Sequence, residues 1–304
     1  MRYIRRLVCL LAVLLLALAG AQAEGKVIPA EEAEPFAEDA PLLEMYVCPL
    51  MGADCMVLVQ GEHAMLVDMG KANDLSTIRS VLDSLGLTHF EYAFNTHPHT
   101  DHLGSMVELA KAYSFDRFVT GFDETFHEPS AIQRSTIKAL KAMDMEIVRM
   151  GDGDVFNLGD AQLTVIQQLK VSGANKQSMM LMVEFGDCRM LLGADVTGQA
   201  QDVIASTHDD LHADVLKYPH HGLNELTSAF LEAVNPSYGV FTHGSLDTSA
   251  AQQVLDSIDA FYSFATWGTI HLATDGHEWH VEQPMDEEKA AYAEYYWKRK
   301  NAGH

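Results

Sequence analysis

The sequence predicts an α/β protein folded as a four-layer αββα sandwich, with two sheets face to face and helices on their outer sides. Two observations support this prediction: β-rich segments over about 43–67 and 146–192 are separated by alternating strands and helices, and the same alternation resumes after the second segment. No repeat or low-complexity tract interrupts this order, so we expect residues 43–304 to form one domain.

The first β-rich segment consists of short apolar runs bounded by Gly and Asp, and it predicts strands at 45–48, 55–59 and 64–67. Asp74 is expected to cap a helix that ends near Leu85, because apolar residues recur there at helical spacing. The next strand, at 91–94, leads directly into a loop rich in histidine.

The remaining elements follow from the same patterns. Helices are predicted at 105–113 and 130–143, and strands at 117–119, 146–149, 162–167, 179–185 and 189–192. Strands near 214–216 and 239–241 then alternate with helices near 224–233 and 248–258. A β segment at 271–281 and a helix at 286–298 complete the prediction.

Residues 1–23 have the features of a secretory signal peptide, so we expect a secreted protein. Arginines at 2, 5 and 6 precede an apolar run over 7–19, and Ala-Gln-Ala at 21–23 is a small-residue cleavage site. An uncleaved membrane anchor is the alternative, although the run is shorter than the ~20 residues of a spanning helix. Residues 24–42 are acidic and contain prolines, which predicts a flexible linker.

The formal net charge is −23, and it becomes −26 once the three arginines of the signal peptide are removed. A strongly acidic surface repels nucleic acid and anionic membranes at long range. We therefore exclude a general DNA-coating protein and expect no stable membrane insertion after signal cleavage.

Cys48, Cys55 and Cys188 follow the signal, and an odd number does not make a disulfide framework. Whether Cys48 and Cys55 bridge or remain free thiols stays open.

The chemistry is concentrated in residues 95–104, Asn-Thr-His-Pro-His-Thr-Asp-His-Leu-Gly. Residues two apart point the same way in an extended segment, so His97 and His99 can converge on one point while Asp101 and His102 point towards a second. Imidazole and carboxylate donors together suit zinc, manganese or iron, whereas oxygen donors alone suit calcium or magnesium. Two adjacent cation sites are predicted.

Four segments together resemble the metallo-β-lactamase-fold hydrolases. They are Leu-Val-Asp-Met-Gly at 66–70, the H-x-H-x-D-H pattern at 97–102, Leu-Leu-Gly-Ala-Asp at 191–195 and Lys-Tyr-Pro-His-His-Gly at 217–222. The double histidine is similar to the ComEC-like branch, which includes the hydrolase domain of the competence protein ComEC and secreted phosphorylcholine esterases. The likeness runs over about 45–281 and implies the metallo-β-lactamase fold.

The resemblance also implies a role for each polar residue of these segments. The metal ligands form two sets that share one carboxylate: His97, His99 and Asp195 for the first ion, and Asp101, His102, His221 and the same Asp195 for the second. Asp68 would accept a proton from a ligand imidazole and so fix its tautomer. Asp101 and His220 are the implied catalytic residues, with His220 facing the substrate. Which of the neighbours His220 and His221 is the ligand stays open.

One position departs from the family pattern. The family usually has a further histidine for the first ion at the end of the strand before the aspartate motif, where this chain has Gln167. Glutamine binds metal poorly, so the first site is expected to be the weaker one.

The function implied is that of a hydrolase with two divalent metal ions, zinc or manganese, acting through metal-activated water. The expected substrate is a phosphodiester on a small molecule or a cell surface, or in a nucleic-acid fragment. Two alternatives stay open: a β-lactamase-type amide hydrolase, and a catalytically impaired metal-binding or interaction protein on the same fold. Neither Gly-x-Ser-x-Gly nor a phosphate-cradling Gly-rich loop is present.

Overall fold

The structure is a computed structural model that describes residues 25–123, 131–243, 248–251, 253 and 261–284. Its strands are β1 (Lys26–Pro29), β2 (Leu43–Val47), β3 (Met56–Gln60), β4 (His63–Val67), β5 (His89–Asn95), β6 (Ser114–Thr120), β7 (Glu146–Arg149), β8 (Val155–Leu158), β9 (Ala161–Ile166), β10 (Met180–Phe185), β11 (Cys188–Leu192), β12 (Val215–Lys217), β13 (Tyr238–Phe241), β14 (Phe261–Phe264), β15 (Ile270–Thr274) and β16 (Glu278–Glu282). Its helices are α1 (Leu75–Ser84), α2 (Thr100–Leu103), α3 (Met106–Ala112), α4 (Ala131–Ala142), α5 (Gln199–Thr207) and α6 (Ser228–Val234).

Apart from the edge strand β1, which pairs in parallel with β16, each of the two sheets is antiparallel on one side and parallel on the other. The larger sheet has the strand order β1-β16-β15-β2-β3-β4-β5-β6-β7, and the smaller has β14-β13-β12-β11-β10-β9-β8. Strands β4 to β7 run parallel, as do β11 to β14. Because the carboxyl ends of parallel strands meet at one edge of a sheet, the segments that follow them are brought together there.

The main core lies between the two sheets and is built by alternating strand residues. In β10, Leu181 and Val183 pack between the sheets, whereas Met180 and Met182 point to the opposite face and pack with the helices there. Each buried aliphatic side chain of this kind contributes about 1.5–3 kcal/mol to stability.

Helices cover the outer face of each sheet, which confirms the predicted αββα architecture. Ile78 and Leu82 of α1, with Leu140 of α4, pack against the larger sheet. Ile204 of α5 and Phe230 of α6 pack against the smaller one.

The segment predicted as a flexible linker, 24–42, contains a strand, so that prediction was wrong for part of it. Strand β1 pairs in parallel with β16, and the amide of Ala30 donates to the carbonyl of Val281 at 2.8 Å. The ring of Phe36 then stacks on His280 with centroids 3.7 Å apart. An edge strand offers unpaired backbone groups to any extended segment, and Lys26–Pro29 pairs with β16 through them.

A short helix that was not predicted precedes the one expected at 105–113. Thr100–Leu103 is already helical as α2, so Asp101 and His102 lie on a helical turn and not in an extended segment. His99 is extended at the position before this helix, with φ −90° and ψ 158°. Asp74 precedes α1 as predicted but makes no cap bond to it, since its carboxylate accepts from the amide of Lys71 at 2.9 Å.

Other differences concern short strands and the ends of the chain. Strands β8 and β14 and helix α5 were not predicted. The signal peptide at 1–23 and the helix at 286–298 lie outside the described residues, as does most of the helix predicted at 248–258. Within the described ranges, no helix combines the length and apolar character needed to span a membrane.

Candidate metal centre

The polar residues singled out from the sequence lie at the carboxyl ends of β4, β5, β11 and β12, where several of them adopt unusual backbone conformations. Of the six described non-glycine residues with positive φ, four are in these segments: Asp68 (60°), Ala194 (46°), His220 (51°) and His221 (60°). Such a conformation costs about 1–3 kcal/mol per residue and persists only where surrounding contacts fix it. The backbone is therefore strained where it presents these side chains.

One group of donor atoms forms around the Nε2 atoms of His102 and His221. Oδ2 of Asp101 lies 3.9 Å from Nε2 of His102 and 3.4 Å from Nε2 of His221. Oδ1 of Asp195 lies 3.4 Å and 3.9 Å from the same two nitrogens. These separations are those of ligands sharing one ion, because metal–donor bonds near 2.0–2.2 Å place neighbouring ligands about 3–4 Å apart.

Three of these donors are buried without a hydrogen bond. They are Nε2 of His102, Nε2 of His221 and Oδ1 of Asp195. A buried polar atom without a partner is costly, and most such atoms in proteins are satisfied. Two imidazole nitrogens and a carboxylate oxygen facing each other are satisfied together by a divalent cation, so the residues present fit a metal ion.

The opposite ring nitrogens of the same two histidines are each held by a buried aspartate. Nδ1 of His102 lies 2.6 Å from Oδ2 of Asp68, and Nδ1 of His221 lies 2.9 Å from Oδ1 of Asp54. Asp68 is fixed in turn by Thr96, whose amide and hydroxyl donate to its two oxygens at 2.9 and 2.7 Å. A carboxylate on Nδ1 places the proton there and leaves the Nε2 lone pair available to a cation.

A second group of donors forms around the first two histidines of the loop. Nε2 of His97 lies 3.1 Å from Nδ1 of His99 and 3.4 Å from Oδ2 of Asp195. His220 approaches the same oxygen, with its Nε2 4.0 Å from Oδ2 of Asp195, while its Nδ1 is 2.6 Å from Oδ1 of Asn224. The two oxygens of Asp195 thus face two different groups.

Residues beside Asp195 position it. Its amide donates to the hydroxyl of Ser178 at 3.2 Å, and that hydroxyl donates to the carbonyl of Asn175 at 2.7 Å. Gln167 has a structural contact instead of a metal contact, since its side-chain amide donates to the carbonyl of Gln177 at 2.7 Å. The first group accordingly has two histidines and one carboxylate with ligand atoms within 4.8 Å of one another.

Burial and neighbouring charge set the protonation of these side chains. Burial lowers the pKa of His97 to about 4, with the charge on His102 adding to the effect. Burial disfavours a charged His102, yet Asp195 and Asp68 raise its pKa well above the usual range. Burial also opposes ionisation of Asp101, but the neighbouring imidazole of His221 lowers its pKa to about 2. Asp101 is thus ionised at neutral pH, and a cation binding at His102 displaces a proton.

The structure brings together the residues predicted from sequence and adds one that was missed. Asp54 lies with His102, Asp195 and His221 in a set of potential ligands whose atoms are within 4.8 Å of one another. The sequence suggested only a turn at Gly52–Ala53–Asp54. An aspartate next to an apolar strand, the signal used for Asp68 and Asp195, also marks Asp54.

A family model described as the metallo-beta-lactamase superfamily matches residues 48–243, more than half of the chain. The chain belongs to the metallo-beta-lactamase superfamily. It is a metal-dependent hydrolase by family, with a candidate divalent-cation centre at the shared edge of its two sheets.

Comparison with individual proteins agrees with this assignment. ComE operon protein 3 of Bacillus subtilis (strain 168) is 26% identical over 168 residues, which cover 54% of this chain and 21% of that protein. This supports the ComEC-like branch, although the chain spans only about a fifth of that relative's length.

Solved structures share the fold at low identity. The metallo-beta-lactamase fold protein YhfI from Bacillus subtilis superposes with a TM-score of 0.51 at 11% identity, covering 74% of this chain and 96% of that one. The CmlA beta-hydroxylase superposes with a TM-score of 0.50 at 13% identity, covering 79% of this chain and 54% of that one. Both are similar to this chain in fold alone.

Proposed function

We propose that this chain is a secreted phosphodiesterase that uses two divalent cations, zinc or manganese. The observation that supports this most directly is the orientation of Asp195. Its Oδ2 lies 3.4 Å from His97 and its Oδ1 lies 3.4 Å from His102. One carboxylate facing two donor groups is the arrangement that holds two ions side by side, as in two-metal phosphatases and nucleases.

In this proposal the two groups are the two ion sites. His97, His99 and Asp195 would hold the first ion, and Asp101, His102, His221 and Asp195 would hold the second. Ions bound there supply a Lewis acid that activates water and stabilises charge developing on the phosphoryl group. The first site has fewer protein donors because Gln167 donates to a loop carbonyl.

Asp101 is the catalytic carboxylate in this proposal. Its side chain is 27% exposed, so it lies at the open side of the centre, whereas Asp195 is buried. With its pKa near 2 it remains ionised at neutral pH, and it can accept a hydrogen bond from the attacking water and orient it.

His220 is the second catalytic residue and faces the substrate. Its side chain is 30% exposed, and Nδ1 lies 2.6 Å from Oδ1 of Asn224, which accepts the Nδ1 proton. Nε2 therefore carries the lone pair and points towards the centre, where it can take up a proton released during hydrolysis.

A phosphodiester fits better than an amide for two reasons. Paired cations are suited to in-line displacement at phosphorus, where they steady both the attacking and the leaving oxygen. The double histidine at 220–221 and the similarity to ComE operon protein 3 favour the ComEC-like branch over the β-lactamases. Secretion is supported by the signal-peptide pattern at 1–23, which would let the enzyme meet a cell-surface ester or an extracellular nucleic-acid fragment.

The test is turnover by purified protein loaded with zinc or manganese. The panel comprises bis(p-nitrophenyl) phosphate, a phosphorylcholine ester, a single-stranded oligonucleotide and a chromogenic β-lactam. We expect hydrolysis of phosphodiesters, abolished by Asp101→Ala and unchanged in His277→Ala, which alters an exposed surface histidine. Hydrolysis of the β-lactam alone would replace the proposal with an amide hydrolase. Stoichiometric metal without turnover on any substrate would indicate a metal-binding protein that is not an enzyme.

A further inference from the structure

Behind His221 lies a buried polar cluster that the metal sets leave unexplained. We call it the Asp54 cluster, and it comprises Asp54, Lys217, Thr242 and the Nδ1 edge of His221. The side chains of Asp54 and Lys217 are fully buried. Burying an ionised carboxylate and an ammonium carries a large desolvation penalty, and replacing such a pair with apolar residues is often neutral or stabilising. Packing by itself therefore does not account for this pair.

The contacts of Asp54 argue against a direct role as a metal ligand. Its Oδ1 accepts from Thr242 at 2.5 Å and lies 2.9 Å from Nδ1 of His221. Its Oδ2 accepts from the ammonium group of Lys217. Both oxygens are thus engaged on the far side of the imidazole, whereas the unpartnered nitrogen of His221 is Nε2.

The backbone of Asp54 joins the same region to a second proposed ligand. Its amide donates to the carbonyl of Asp101 at 3.1 Å, and its carbonyl accepts from the amide of Gly70 at 2.8 Å. Lys217 is similarly tied to the turn that carries Asp195, because its carbonyl accepts from the amide of Gly193 at 3.1 Å. The cluster therefore connects the three segments that carry the four donors of the second ion site.

We propose that Asp54, kept in place by the buried ammonium of Lys217, is a positioning residue that sets the tautomer and ring orientation of His221 and thereby the affinity for the second cation. Asp54 acts on His221 as Asp68 acts on His102, so both imidazoles of this site present Nε2. The proposal rests on the cation site of the proposed function, but it does not depend on which substrate is hydrolysed.

A single and a double variant distinguish an effect on the position of His221 from an effect on folding. Asp54→Asn alone leaves the Lys217 ammonium buried beside a neutral amide, so we expect lower thermal stability together with weaker metal binding. The double variant Asp54→Leu/Lys217→Met removes both charges and the acceptor, and we expect thermal stability to recover. In both variants we expect the affinity for the second cation to fall about 10- to 100-fold, as is usual when the partner of a ligand histidine is removed.

The measurement is competition of Zn²⁺ against a chromophoric chelator, with the visible spectrum of the Co²⁺ form as a second readout. Tyr238→Phe is the control, since it removes a buried hydroxyl from its contact with Ser263 and should not change metal binding. His99→Ala should lose the first ion while keeping the second at wild-type affinity, which identifies the two steps of the titration.

Long-range ¹H–¹⁵N spectra of the histidine rings should show a proton on Nδ1 of His221 in the wild type and a redistribution to Nε2 in the double variant.

The outcomes distinguish this inference from the proposed function. If the wild type binds two ions and the folded double variant binds the second with unchanged affinity and an unchanged ring tautomer, Asp54 is not a positioning residue, although the metal centre stands. If the wild type binds no divalent cation, the proposed function fails and this inference fails with it. An affinity loss confined to Asp54→Asn and restored in the double variant would assign the effect to misfolding and overturn the proposal.

Discussion

Asp68 and His102 are joined by a hydrogen bond of 2.6 Å between Oδ2 and Nδ1, and both side chains are fully buried. Asp68 follows β4 with a positive φ, and the amide and hydroxyl of Thr96 hold its carboxylate in place. The strained aspartate therefore determines which nitrogen of His102 faces Asp195. The consequences of this arrangement can be measured.

Asp68→Asn should weaken binding of the second cation about 10- to 100-fold while leaving the fold intact. An amide of the same shape still fills the space, but it lacks the charge that raises the basicity of the imidazole. Zn²⁺ competition gives the affinity, and circular dichroism checks the fold. Asp83→Asn is the control, because Asp83 accepts from Tyr113 and belongs to neither donor group. Unchanged zinc affinity in Asp68→Asn would contradict the prediction.

The two cations should bind with unequal affinity, and the ion at His97 and His99 should be the weaker. That site has three protein donors because Gln167 is engaged with Gln177, whereas the other site has four. Isothermal titration with Zn²⁺ should show two steps, and His97→Ala should remove the weaker one. A titration with two equal sites, or loss of the tighter step in His97→Ala, would show that the sites are misassigned.

Gly104→Ala should destabilise the protein by about 3 kcal/mol. A Cβ at this position would lie 2.5 Å from the amide nitrogen of Ala72 and 2.5 Å from the carbonyl oxygen of Thr100, and backbone atoms cannot move aside cheaply. Gly61→Ala is the matched control, since its Cβ would meet nothing within 4 Å and only its positive φ is unfavourable, at about 1 kcal/mol. Chemical denaturation gives both values. Equal losses would mean that the close packing beside α2 is unimportant.

Stability should fall at acidic pH partly through Glu44. Its carboxylate lies 2.9 Å from Nε2 of His271 and accepts from Tyr46 at 2.8 Å, and the contact with His271 is the main reason that the pKa of Glu44 is lowered from 4.5. A group with a lowered pKa in the folded state contributes stability above its unfolded pKa and loses it as the pH falls through the folded value.

Glu44→Gln should therefore be less stable than the wild type at pH 7, and this difference should shrink below about pH 4. The loss should stay under about 1 kcal/mol, because the carboxylate is partly exposed and solvent screens its contacts. Thermal melts from acidic to neutral pH provide the test, with Glu62→Gln on an exposed turn as the control. If the stability difference between Glu44→Gln and the wild type grew as the pH fell, the ionised carboxylate of Glu44 would not be the stabilising form.

Much of the fold was predictable because strand and helix patterns are local. The alternating and continuous apolar runs located most of the strands, and the αββα arrangement followed from their order. Strand β1 was missed because its partner β16 is about 250 residues away in the chain and because the segment around this short strand is acidic and contains prolines. Helix α2 was missed because the spacing of His97 and His99 suggested an extended segment throughout.

The sequence by itself determined which donor types this protein has and that they follow strand ends, since Asp68, His97, His102 and Asp195 are each marked by an apolar strand or a short motif. Tertiary structure decided which atom of each donor faces the centre. That choice depends on partners that are remote in sequence: Asp68 is 34 residues from His102, and Asp54 is 167 residues from His221. A hydrogen bond orients an imidazole only when the fold has brought its acceptor within about 3 Å, and no local pattern encodes that distance.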